Sequence, residues 1–204
     1  TAIERYASSY YLAIVMPNAH RSFYTDMKAG RRYFAYMTEE LPSLMESFFS
    51  LSNKREDRFV AGLSMGGYGA FKMAINLPGR YAAGASLSGV LDIAGAWARN
   101  SDFFPDVFGD SVVNPPDNVL AAVDKLVADT PKKQWPKLFQ FCGTDDFLYE
   151  DNVNFQAYVK KAGLPVTYRE GPGGHDWTVW DARIQEVLAW LPLSKRVTRT
   201  SAIG

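Results

Sequence analysis

The stretch "DRFVAGLSMGGYGAFKMAI" limits the fold most, because it places one serine, Ser64, among Gly62, Gly66, Gly67 and Gly69. A glycine inside a strand or helix costs roughly 0.5–1 kcal/mol relative to alanine. Four of them around a single hydroxyl need a reason. "GLSMG" fits G-x-S-x-G, a sharp turn from strand to helix with the serine at its apex. Glycines at 62 and 66 let strand and helix approach closely while the serine adopts a strained backbone angle. The helix behind it offers unpaired N–H groups and the positive end of a dipole. The pattern is short and recurs by chance, so its weight comes from context. "RFVAGLS" reads as a strand before it, and "GGYGAFKMAINLP" reads as a helix after it, stopped by Pro78 and Gly79. The bland alternative is a glycine-rich turn with no chemistry.

The rest of the chain repeats that alternation. "YYLAIVMP", "YAAGASLSG", "KLFQFCG" and "PVTYREG" read as further strands, and "LPSLMESFFSL", "NFQAYVKKAG" and "DARIQEVLAWLP" as helices. The opening "TAIERYASSYY" looks like a helix end running directly into a strand. Strands with continuous apolar character belong in a parallel sheet covered on both faces. The expected class is therefore α/β, a mostly parallel, doubly wound sheet with helices on both sides. At 204 residues, one domain is expected over residues 1–193, followed by a polar, locally basic tail, 194–204. One connection breaks the rhythm. Residues 91–136 are far longer than an ordinary αβ loop and carry Trp97, Phe103, Phe104 and Phe108. Such a segment reads either as a lid over a site or as an irregular helix pair on the surface.

Composition narrows the partners. Lys+Arg and Asp+Glu both number 22, so the net charge is zero, and no basic excess points to nucleic acid or an anionic membrane surface. "YAAGASLSGVLDIAGAWA" is rich in small residues and contains Asp92, which argues against a membrane span. Cys142 is the single cysteine, so neither an internal disulfide nor a multi-cysteine metal site is expected. A reducing compartment fits, and the cytoplasm is the expected location. No metal and no cofactor is called for. The sequence leaves room for a homo-oligomer.

A serine hydroxyl is a weak nucleophile and needs a base. The chain has two histidines. His20 precedes the serine in "MPNAHRSFYTD", whereas His175 follows the last strand in "EGPGGHDW". In strand–turn–helix serine sites the chain order is serine, acid, histidine, which selects His175. The acid should follow the strand between them, where "CGTDDFLYED" offers Asp145, Asp146, Glu150 and Asp151. Charge and spacing alone leave that choice open.

Together, "MPNAHRSFYTDM", "AGLSMGGYGAFKMA", "YAAGASLSG", "CGTDDFLYED" and "EGPGGHDWTVWD" resemble the esterase D family of the α/β-hydrolase fold. That family includes S-formylglutathione hydrolases and tributyrin, feruloyl and acetyl esterases. The likeness runs along almost the whole chain. It implies Ser64 as nucleophile, His175 as base and the backbone N–H of Met65 as an oxyanion donor. It also implies Asp146 as the acid, the fourth place of the G-x-x-D turn that starts at Gly143. The family draws its second oxyanion donor from an "HG"-type loop ahead of the segment matching "ERYASSYYLAIVMPN", and no such loop occurs here. The resemblance therefore implies a chain that starts inside the following helix and lacks the fold's first strands.

The leading expectation is a serine carboxylesterase acting on a small ester or thioester, with short acyl groups. A formyl-thioesterase, an acyltransferase using the same three residues, and a non-catalytic binding member are the alternatives.

Overall fold

Four short strands carry the architecture, which a computed structural model describes for residues 2–99, 102–112 and 114–193. Strands β1 (Phe59–Leu63), β2 (Ala83–Leu87), β3 (Lys137–Gly143) and β4 (Val166–Gly171) lie side by side in that order, each parallel to the next. Leu63 is level with Leu87, and Leu87 with Phe141, so the strands' carboxyl ends reach the same edge of the sheet. Turns leaving that edge converge, which is where open α/β sheets place their ligands.

The helices are α1 (Ile3–Ala7), α2 (Tyr33–Ala35), α3 (Leu41–Phe48), α4 (Met65–Asn76), α5 (Ile93–Arg99), α6 (Phe104–Phe108), α7 (Val119–Asp129), α8 (Tyr149–Ala162) and α9 (Trp177–Trp190). The period of two along β3 divides them. Leu138 joins Phe71 of α4, Val123 of α7 and Phe155 of α8 on one face. Phe139 and Phe141 meet Trp180 and Val187 of α9 on the other. Buried on both faces, β2 consists of small and apolar residues, as an interior parallel strand should. Phe71 and Phe155, with ring centroids 5.5 Å apart, each contribute about 1.5–3 kcal/mol of transfer free energy.

The mostly parallel sheet with helices on both sides is as expected, but one strand is not. "YYLAIVMP" does not form a strand: among the described residues no sheet pairing reaches 12–17, and Leu12 N–H turns back onto Tyr10 O. Tyr11, Val15 and Met16 are exposed there. Apolar content makes a strand only where a neighbouring backbone accepts its ladder, and residues 12–17 meet none among the described residues.

Helix boundaries differ for local reasons. Pro42 has no N–H to give the carbonyl of Thr38, and the helix widens into a π-turn over Tyr36–Glu40. The freed Thr38 carbonyl accepts from Arg80 instead. Two helices begin earlier than the apolar pattern suggests. Asp176 accepts hydrogen bonds from the N–H groups of Thr178 and Val179, so α9 starts at Trp177. Without a side-chain cap, α8 starts at Tyr149, whose N–H donates to Asp146 O at 2.9 Å as the chain leaves the Asp145–Asp146 turn. The 91–136 segment folds into α5, α6 and α7, the last packed against α4. No helix among the described residues is long and apolar enough to cross a membrane. The expected tail, 194–204, lies outside the described residues.

Candidate active site

Ser64 sits between β1 and α4 with φ 53° and ψ −120°, a conformation that costs a non-glycine residue about 1–3 kcal/mol. The surroundings hold it there. Ser64 N–H donates to Leu87 O at 2.9 Å, and a Cβ on Gly62 would fall 2.3 Å from the Gly66 carbonyl. Any side chain at 62 would push strand and helix apart, so glycine at 62 is a steric requirement of the turn.

A second close approach brings the acid to the base. Beyond β3 and β4, a Cβ on Gly143 would lie 2.1 Å from Gly173 O. Thr144 N–H donates to Gly171 O at 2.8 Å and Asp145 N–H to Gly173 O at 3.1 Å, which clamps the two turns together. The Asp145 carboxylate accepts from Gly173 N–H at 3.0 Å and so faces the loop backbone. Asp146, 5% exposed, faces His175 instead, with both carboxylate oxygens 2.9–3.0 Å from Nδ1. On the other side of the ring, Nε2 lies 2.9 Å from Ser64 Oγ. With its proton on Nδ1, the imidazole donates to Asp146 and leaves Nε2 to accept from the serine hydroxyl.

Ser64, His175 and Asp146 are thus brought together, and the other candidates lie apart from them. Asp151 pairs with Arg99 at 2.9 Å, Glu150 is exposed, and His20 is exposed with its ring 6.1 Å from that of Tyr33. Sequence reasoning missed the walls of the histidine. Phe147 lies 4.6 Å from the imidazole centroid, and Trp180 meets it edge-to-face at 4.8 Å.

Met65 is the first residue of α4, so its N–H has no acceptor within the helix and is free for an anion at this end. Met65 also lines a cavity of about 990 Å³ that reaches Asp146. Val90, Ala96, Phe103, Phe104 and Leu148 form an apolar part of its wall, Arg99, Asp145, Glu150 and Asp151 a charged part, and Arg21 lies over the Phe103 ring at 4.2 Å. The loop bearing Arg21 and Phe23 holds positive φ at His20, Phe23 and Tyr24. A buried cation anchors it: Lys72 Nζ donates to Tyr24 O at 2.9 Å, Thr25 Oγ1 at 2.7 Å and Asp117 Oδ1 at 2.6 Å. Burial pushes the Lys72 ammonium down to about 8, against the opposing pull of Asp117. Among the described residues no group of three or more His, Cys, Asp or Glu is placed to hold a metal ion.

Residues 2–191 match the model of the Esterase family. An acetyl esterase of Caldicellulosiruptor saccharolyticus is 32% identical over 195 residues, covering 89% of this chain and 72% of that protein. The S-formylglutathione hydrolase of Mus musculus is 29% identical over 148 residues, 70% of this chain and 49% of that one. Among solved structures, the substrate-bound fluorophosphonate-binding serine hydrolase F of Staphylococcus aureus superposes with a TM-score of 0.85 at 37% identity. It covers 94% of this chain and 75% of its own. The S-formylglutathione hydrolase of the same organism gives 0.83 at 36%, covering 94% and 76%.

Proposed function

The chain belongs to the esterase family and carries the α/β-hydrolase fold, and from that premise we propose that it hydrolyses short-chain acyl esters through Ser64, His175 and Asp146. The observation that carries this reading is the unbroken line of contacts from Asp146 through His175 to Ser64. Ser64 Oγ attacks the acyl carbonyl carbon as its proton passes to His175 Nε2. The oxygen that becomes negative accepts a hydrogen bond from the Met65 N–H. Asp146 holds the Nδ1 tautomer and stabilises the imidazolium. His175 then protonates the departing alkoxide, leaving an acyl group on Ser64. A water deprotonated by the same nitrogen attacks that ester, the acid departs, and His175 returns the proton to Ser64 Oγ. The 91–136 segment serves as a lid, since its Ala96, Phe103 and Phe104 line the acyl cavity.

A burst of p-nitrophenol from p-nitrophenyl acetate, absent in Ser64→Ala, tests the mechanism. Esters of increasing acyl length test the substrate. The proposal expects kcat/KM to be highest at acetyl or butyryl and to decline for longer chains. Two relatives are named for S-formylglutathione hydrolysis, which favours a second reading, a formyl-thioesterase. The same three residues and the same burst would serve it, and a formyl thioester preferred over acetyl esters would decide for it.

A further inference from the structure

Ser88 lies one residue beyond β2 and takes no part in the proposed chemistry, yet it is fully buried in a left-handed conformation, φ 48°. Strain of that kind persists only where surrounding structure imposes it. Its N–H donates to Phe141 O at 2.7 Å, which fixes it to the end of β3. The hydroxyl accepts the indole N–H of Trp180 at 3.1 Å, well inside the core. Trp180 is 6% exposed and stands at 88° to the His175 ring, centroids 4.8 Å apart. Phe147 covers a second side of the imidazole at 4.6 Å and 47°.

We propose that Ser88 is a positioning residue: its hydroxyl fixes the plane of Trp180, and the tryptophan in turn fixes the imidazole of His175 between Asp146 and Ser64. The two hydrogen bonds of His175 leave its ring free to swing about the Nδ1–Nε2 line, and a rigid aromatic wall removes that freedom. The strain at residue 88 is what turns the hydroxyl away from the strand direction and toward α9. Loss of the hydroxyl leaves the indole N–H unpaired and the tryptophan free to tilt. A tilt of a few tenths of an ångström at Nε2 lowers kcat about tenfold, less than the ~10²-fold of a full 1 Å misplacement.

The proposal rests on Ser64 and His175 being the working pair, and the test keeps the two apart. Ser88→Gly removes the hydroxyl and accepts the positive φ without strain. It is expected to melt within a few degrees of the parent while kcat for p-nitrophenyl acetate falls about tenfold and KM stays unchanged. Trp180→Phe keeps an aromatic wall, lacks the N–H, and should show a similar loss. Combining them should add no further loss of kcat, because the bond that holds Trp180 is gone in either; the hydroxyl's second bond, to Cys142, is lost only with Ser88. Unchanged kcat in Ser88→Gly, a loss confined to KM, or losses that multiply in the double variant would overturn the assignment. Turnover surviving in Ser64→Ala would instead remove the premise.

Discussion

His175 Nε2 lies 2.9 Å from Ser64 Oγ although 111 positions separate the two residues in the chain. Parallel topology makes the meeting possible, since each strand returns through a helix and delivers its carboxyl end to one edge. Ser64 leaves β1 and His175 follows β4, at opposite sides of the described sheet. Between them the Asp146 turn leaves β3 and reaches His175 at Nδ1. The contact therefore depends on both close approaches: Gly62 on Gly66 sets how sharply the serine turn bends, and Gly143 on Gly173 how near the acid and histidine turns lie.

An activated serine is the first consequence open to measurement. An organophosphonate at neutral pH should label Ser64 and no other serine, because only a hydroxyl with a base at hydrogen-bond distance is reactive enough. Peptide mass spectrometry reads the site directly. A label on Ser22, Ser86 or Ser88, all buried, would contradict the assignment.

The two adjacent aspartates should behave very differently. Asp146→Asn removes the acceptor that selects the Nδ1 tautomer, and kcat should fall about 10⁴-fold with little change in melting temperature. Asp145→Asn alters a carboxylate bound to the Gly173 N–H. It should cost tenfold at most, through the loop. Steady-state kinetics on the two variants checks this, and a reversed order would move the acid back by one residue.

The same pair shows what a sequence reveals and what it hides. Ser64 was legible because glycine at 62 and 66 is a steric demand visible in composition. His175 followed from chain order. Asp146 rested on a resemblance, since the choice depends on which way a turn faces, and that is fixed by Gly173 N–H and Gly143 O rather than by any local preference. The strand over residues 10–17 could not be judged from its own residues, because a strand is defined by a partner elsewhere in the chain. Trp180 was legible in principle. Asp176 followed by Thr178 and Val179 is a helix cap, and extending α9 back to Trp177 puts Trp180 one turn in, facing the sheet.

Lys72 should prove structurally expensive to remove. Lys72→Met leaves Asp117 without its buried cation, a loss of about 3–5 kcal/mol for a fully buried pair. The Asp117 side chain keeps 28% of its exposure, which places the expected value near the lower end. Adding Asp117→Asn should recover part of it. Urea unfolding of the single and double variants gives the comparison, and additive losses would show that the two residues do not depend on each other.

Cys142 offers a test in pH. Burial, reinforced by the nearby Asp146 charge and opposed by a hydrogen bond from Ser88, pushes its thiol from 9.0 up to about 12. Between those values the unfolded chain has lost the thiol proton and the folded chain keeps it. The unfolded state then binds fewer protons, so this contribution to stability is intact below pH 9 and declines as pH rises toward 12. Cys142→Ala lacks the titration. It should be less stable than the parent at pH 7 through lost packing, and the gap should narrow by about 1 kcal/mol per pH unit above pH 9. Tyr68 and Tyr81 have phenols raised by burial, and Lys72 an ammonium lowered by it, but these are shared by both chains and cancel in the difference. Denaturant midpoints at pH 7, 9 and 10 measure the gap. A constant gap would mean that the thiol ionises in the folded protein as readily as in the unfolded chain, and the predicted effect of burial would be refuted.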